Sequence, residues 1–127
     1  MKGAWRFQDL VAWQLADQLR QITNRYCEKE RLRRDFKLRS QMTDAASSGP
    51  RNIAEGFGRE THREFARSCY IARGSEQEVL DSFIEAHQKG FIDDVELDQG
   101  DHAARKAIKV LNGLIHYLAA TPNWRKK

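Results

Sequence analysis

With two prolines, two cysteines and no long apolar run among its 127 residues, this chain lacks the markers of several protein classes. Cys27 and Cys69 are too few for a disulfide framework and lack C-x-x-C spacing, so they read as free, buried thiols. No uninterrupted apolar stretch nears the roughly 20 residues of a membrane helix, and Met1-Lys2-Gly3-Ala4-Trp5-Arg6 does not resemble a signal peptide. The expected compartment is therefore the cytoplasm, with no membrane partner. The four histidines, His62, His87, His102 and His116, form neither H-x-x-x-H nor H-E-x-x-H, and no cysteine stands at metal-ligand spacing. Gly56-Phe57-Gly58 and Arg73-Gly74-Ser75 match no phosphate-binding loop, and there is no nucleophile elbow. The run Asp93, Asp94, Glu96, Asp98, Asp101 lacks the glycine and terminal glutamate of a calcium loop. Catalysis, a metal and a cofactor are all unexpected.

What is present is ordinary apolar content, 40%, with 31% charged residues and a net charge of +4, which describes one soluble domain over residues 1–127. β-branched residues never alternate with polar ones over a strand's length, so the chain reads as all-α. Four amphipathic helices are expected at about 9–27, 35–57, 62–88 and 94–119, with a basic tail at 122–127. Asp9 is the expected first N-cap, and Val11, Leu15, Leu19, Ile22 and Tyr26 the inward stripe. Residues 28–34 connect to the second helix, whose inner side carries Leu38, Met42, Ala45, Gly49, Ile53 and Gly56. Thr61 followed by Glu64 forms a capping box for the third helix, and Gly90 stops it. Short connections make neighbouring helices antiparallel, which gives an up-and-down, left-handed four-helix bundle. Pro50 removes one backbone hydrogen bond and bends the second helix. Gly49 and Gly56 permit close helix approach there, and Gly58 suits a left-handed C-terminal residue.

Charge is distributed in blocks: residues 20–73 net +6, residues 74–101 net −8 and residues 102–127 net +6. A basic surface and an acidic one follow. Two helices also carry apolar residues away from their main stripes: Leu10 and Trp13 on the first, Ile108, Ile115 and Tyr117 on the fourth. Such second faces suit contact with further copies of the chain, and opposite charges on one protomer suit a head-to-tail arrangement. Asn52 and Glu76 fall on inner stripes, so they are expected to share a buried polar cluster with Arg73 or Arg51.

Three separated blocks carry a resemblance. They are Phe7-Gln8-Asp9-Leu10-Val11-Ala12-Trp13-Gln14, the segment from Ser47 to Arg59 that contains Gly49-Pro50-Arg51-Asn52-Ile53-Ala54-Glu55-Gly56, and Tyr70-Ile71-Ala72-Arg73-Gly74-Ser75. Over about residues 7–92 the chain resembles the bacterial four-helix-bundle family typified by the protein encoded within intervening sequences of large-subunit ribosomal RNA. That resemblance implies a ring of five protomers and a role involving RNA. It also implies a distant relation to the accessory protein of a retroelement reverse transcriptase, and hence an alternative role as a protein-interaction adaptor that binds no nucleic acid itself. From the residues, direct RNA binding would use Arg31, Arg33, Arg34, Lys37 and Arg39 near the start of the second helix and Arg51, Arg59, Arg63 and Arg67 around the turn to the third. In the tail it would use Arg125, Lys126 and Lys127, with Trp124 stacking on an unpaired base.

Overall fold

The structure, a computed structural model, describes residues 6–126. After a 3₁₀ turn at Phe7–Asp9 come five helices: α1 Val11–Cys27, α2 Glu30–Arg34, α3 Phe36–Phe57, α4 His62–Gln88 and α5 Asp94–Ala120. The fold is all-α, and the one strand-like contact among the described residues is a single bridge between Thr61 and Arg125. α3, α4 and α5 each begin where a short polar side chain accepts an otherwise orphaned backbone N–H. Asp35 accepts from Leu38 N at 3.1 Å and Thr61 from Glu64 N at 3.2 Å. Asp93 and Glu96 cap each other, with Glu96 N donating to Asp93 Oδ1 at 2.8 Å and Asp93 N to Glu96 Oε1 at 2.9 Å. Gly90, at φ 74°, ends α4 in the left-handed conformation that favours glycine.

Four local expectations need correction. Asp9 does not cap α1; it sits in the 3₁₀ turn, where its carboxylate accepts from Arg6 N, and extended Leu10 precedes the helix. The connection at 28–34 contains α2, pinned by the fully buried Leu32. Gly58 has helical backbone, φ −78°, rather than left-handed. Val11 is 56% exposed, because α1 turns Ala12, Ala16 and Thr23 inward beside Leu15 and Leu19.

α1 packs on α3 and α5, and α4 packs on α3 and α5, so each long helix has two long-helix neighbours. Side chains tie opposite chain directions together at the ends: Tyr26 near the end of α1 donates to the Glu96 carbonyl near the start of α5 at 3.0 Å. The interior has two apolar clusters. One includes Leu19, Met42, Val79 and Phe83; the other includes Ala16, Ile53, Phe65, Cys69 and Leu111. Along α4, Glu76 lies between Ala72 of one cluster and Val79 of the other. It is 1% exposed, and neither carboxyl oxygen has a hydrogen-bond partner. Its Cγ and Oε2 lie 3.5 and 3.7 Å from where a β-carbon on Gly49 would stand, one residue before Pro50. Burial pushes its carboxyl up to about 8, so it is held protonated at neutral pH.

Close approach is tighter at Gly56, where an added β-carbon would lie 2.7 Å from Phe65 Cδ1 and 2.8 Å from Ser68 Cβ. Gly74, in the middle of α4, has nothing within 4 Å. Gly56→Ala should therefore cost about 1–3 kcal/mol in urea unfolding. Gly74→Ala should gain roughly 0.5–1 kcal/mol by restricting the unfolded chain and favouring helix. The Glu76 proton gives a separate test. Because the folded state keeps that proton up to about pH 8 and the unfolded chain loses it near 4.5, stability should fall as pH rises between those values. The fall should be on the order of 3–5 kcal/mol, and Glu76→Gln should abolish most of it. Parallel pH profiles for parent and variant would sink this assignment.

Candidate nucleic-acid interface

The basic residues fall into three places. The first is the α2–α3 junction. There Arg31 is a structural clamp: its guanidinium lies over the Phe91 ring at 5.3 Å and its Nη1 donates to the Gly90 carbonyl at 3.3 Å, holding α2 to the α4–α5 turn. Arg34 pairs with Glu30 at 2.7 Å, and Arg39 approaches Glu28 at 3.5 Å. Arg33 and Lys37 have no ion pair among the described residues, and between them stands Phe36, 78% exposed. An exposed aromatic at the first position of a helix follows from the N-cap at Asp35; amphipathic stripe reading passes over it.

This same end receives the acidic stretch. Lys29 Nζ binds Glu96 at 2.9 Å, Lys89 binds Asp35 at 3.1 Å, and His87 Nε2 lies 2.6 Å from Asp94. Sequence blocks of opposite sign are thus folded against one another, and the expectation of two segregated surfaces is corrected at this end.

The second place is a groove of about 920 Å³ that flanks the first turns of α4, between α3 and the end of α5. Arg59, Arg63, Arg67, Tyr70, Ile71 and Asn52 line it together with two carboxylates, Glu55 and Glu64, and with Leu118 and Pro122 on the α5 side. Arg63, Arg67 and Tyr70 follow one another at spacings of four and three residues, so they stand on one face of the helix. Arg59 is paired with Glu55 at 2.6 Å. Arg63, Arg67 and, on the exposed side of α3, Arg51 have no ion pair among the described residues. In the groove, the two unpaired guanidinium groups of Arg63 and Arg67 beside a half-exposed tyrosine form a surface suited to phosphate and flat rings.

The third place is the C-terminal segment, which folds back over the start of α4. His62 N donates to the Trp124 carbonyl and Arg63 N to the Pro122 carbonyl, both at 3.1 Å, while Lys126 N donates to the Glu60 carbonyl at 2.9 Å. Trp124 stacks on the buried His62 ring at 4.5 Å, and His62 Nδ1 lies 2.6 Å from Thr121 Oγ1. Lys126 donates to the Phe57 carbonyl and lies over the Phe57 ring at 4.8 Å. Arg125 reaches Glu60 only at 3.9 Å. The tail thus caps a helix terminus, with one face of Trp124 already covered; Lys127 lies outside the described residues.

Two further groups of expected residues are redistributed. Leu10 and Ile115 are buried within the protomer, so they leave the candidate contact surface. The non-helical backbone at Leu10 invalidates its helical phase, and α5 packs on both α1 and α4, which buries a wider arc than one partner would. Trp13 is half-buried against Phe7, ring centroids 5.3 Å apart. Ile108 lines a shallow α4–α5 groove with Leu80 and Ile84, and Tyr117 is exposed beside His62. The expected polar cluster does not assemble. Asn52 Nδ2 donates to the Ser48 carbonyl at 2.8 Å, and Ser75 reaches Ser48 Oγ at 2.7 Å. Arg73 instead donates to Asn112 at 2.9 Å, which leaves Glu76 alone. Asn52 is only half-buried, so a partner one turn back on its own helix satisfies it.

Both thiols are held inert: burial pushes Cys27 up to about 11 and Cys69 up to about 12. No group of three or more metal-ligating side chains occurs among the described residues. No helix among them is long and apolar enough to cross a membrane.

Comparison with known families gives a match to the one described as 23S rRNA-intervening sequence protein, over residues 8–113. Among curated proteins, none matches the chain.

The tail's attachment should depend on pH. Burial holds the His62 imidazole below its ordinary value of 6.5, so the folded state favours the neutral ring. For a base shifted downward, this contribution is present above 6.5 and is lost as pH falls below it. Lowering the pH from about 7.5 to about 5 should thus lower the protection factors, corrected for the slower intrinsic exchange, at the His62, Arg63 and Lys126 amides while those of the helix centres hold. Unchanged protection factors at these three amides would contradict the role given to His62.

Proposed function

The chain belongs to the 23S rRNA-intervening sequence protein family, and we propose that it is a non-enzymatic RNA-associated protein that binds single-stranded RNA through the groove around α4. The observation that carries this reading is that Arg63 and Arg67, on one face of α4 and without an ion pair among the described residues, line the groove together with Tyr70. The family's description, naming 23S rRNA, supports an RNA context. Unpaired guanidinium groups favour a polyanion, and binding releases its counterions. Arg33 and Lys37 beside Phe36 supply a second, smaller anion-facing patch.

The architecture belonging to this reading is an up-and-down, left-handed four-helix bundle, with α3 bent at Pro50 and α2 as a short insert. The cyclic packing of the long helices and the short connections support it. The protein acts as a homo-oligomer, a ring of five in the cytoplasm. Half-exposed Trp13, Ile108 and Tyr117 support contacts between copies, and repetition around a ring multiplies a weak patch into an avid one. The non-enzymatic reading is supported by the raised thiols and by a perturbed carboxyl, Glu76, that no substrate can reach.

A second reading, an adaptor that docks another protein such as a reverse transcriptase without touching nucleic acid, is favoured by exposed Ile71 and Ile84 on α4. Salt separates the two. If phosphates bind the groove, log affinity for single-stranded RNA should fall linearly with log salt. Arg63→Ala or Arg67→Ala should each flatten that slope by about 0.7. No binding at low salt by the assembled protein would leave the adaptor ahead.

A further inference from the structure

Next to the two unpaired arginines on α4, the groove contains one aromatic side chain with a built support. Tyr70 is 49% exposed and lines the groove, one turn beyond Arg67. The Arg73 guanidinium lies over its ring, 5.1 Å from the centroid. Arg73 is itself held from the neighbouring helix, donating through Nη1 to Asn112 Oδ1 at 2.9 Å. A chain of contacts from α5 through Arg73 thus fixes one face of the Tyr70 ring and leaves part of it open. Beyond it, Gly74 adds no side chain: a β-carbon there would meet nothing within 4 Å.

We propose that Tyr70, backed by Arg73 and Asn112, is a stacking platform for an unpaired base of single-stranded RNA whose phosphates lie on Arg63 and Arg67. Three features select this ligand chemistry. A cation over one face draws electron density from the ring, which favours an electron-rich base on the other. Arg67 precedes Tyr70 by about 5 Å of helical rise, a separation that a phosphate and its own base can bridge. Arg63 and Arg67 have no ion pair among the described residues, while the groove's carboxylates Glu55 and Glu64 are engaged by Arg59 and Thr61, so these two arginines remain for phosphates. A paired base has no free face, so duplex RNA can use the arginines but not the ring.

This inference rests on the RNA reading above, and its test separates the two. The full-length protein is titrated with a short single-stranded RNA carrying 2-aminopurine and with a fully paired duplex of the same length. The parent should quench the 2-aminopurine emission on binding. Tyr70→Leu should weaken single-strand binding roughly 5- to 100-fold and abolish the quenching. Its salt slope and its affinity for duplex should stay unchanged, because no phosphate contact is lost. Tyr70→Phe should behave as the parent, and Asn112→Ala should reduce the quenching by releasing Arg73. Arg67→Ala should flatten the slope. Equal losses for single strand and duplex in Tyr70→Leu would assign the ring a structural role and overturn the proposal. Parent-like binding by Tyr70→Leu, with Arg67→Ala still impaired, would overturn the platform and leave the groove standing. No binding of either RNA by the parent would remove both.

Discussion

The approach of α3 to α4 governs the side of the molecule that carries the candidate site. At Gly56 the distance leaves no room for a β-carbon, since Phe65 Cδ1 and Ser68 Cβ already stand within 3 Å of its place. At Gly49, two turns earlier, the same missing side chain makes space for the Glu76 carboxyl. The helices can therefore pack closely at one level and hold a polar group in the interior at another. Phe65, fixed in this contact, is only four residues from Cys69 and five from Tyr70, so the register of α4 that buries the former exposes the latter. The groove's arginines are placed by the same register.

Among the described residues, Glu76 is the buried side chain left without a hydrogen-bond partner, and its energetics explain its state. An ionised carboxylate without partners in an apolar interior is far more costly than a protonated one, so the proton stays on. A neutral carboxyl still forgoes its hydrogen bonds. Pro50, which has no backbone N–H, leaves the Ala46 carbonyl without its usual helical donor on the adjacent turn of α3. Apolar packing on either side must offset these costs. Met42 and Phe83 on one side, with Ile53 and Leu111 on the other, are all fully buried.

Local chemistry was the legible part of the sequence. Thr61 with Glu64, Asp93 with the acids after it, and Gly90 act through a few neighbouring atoms, and helix starts or stops occur beside each of them. What sequence spacing could not provide was partner geometry. The position of Leu10 depends on a 3₁₀ turn that interrupts the helical phase. Trp124 and Lys126 read as a free basic tail because nothing nearby in sequence shows that α4 needs its first N–H groups capped from residues about 60 positions away. The opposed charge blocks were correctly located along the chain, yet folding brings Glu96 to Lys29 and Asp35 to Lys89. Tyr70 gave a weak signal: one aromatic following Arg63 and Arg67 at helical spacing, which a search for motifs does not weigh. Its support by Asn112 comes from another helix and is invisible to spacing.

The cations that remain unpaired after folding divide into sites too far apart to act on one phosphate. Arg33 and Lys37 stand at the start of α3, and Arg63 and Arg67 follow its end; a helix of 22 residues, about 33 Å long, runs between them. At physiological ionic strength, exposed charges are screened beyond about 8 Å, so each patch attracts an anion independently of the other. On the proposed RNA reading, a short oligonucleotide would occupy one patch or the other, whereas a long strand could occupy both along the same protomer. Of the two, the α4 groove has two unpaired arginines and a supported ring, against two cations and an unsupported Phe36 at the other end. The tail strengthens this asymmetry. The Trp124 and Pro122 carbonyls accept from the His62 and Arg63 N–H groups at the start of α4, which removes those donors from any anion there, and Pro122 enters the groove wall. Arginine side chains are thus left as the groove's principal donors, and they can follow a flexible strand in a way that fixed backbone N–H groups cannot.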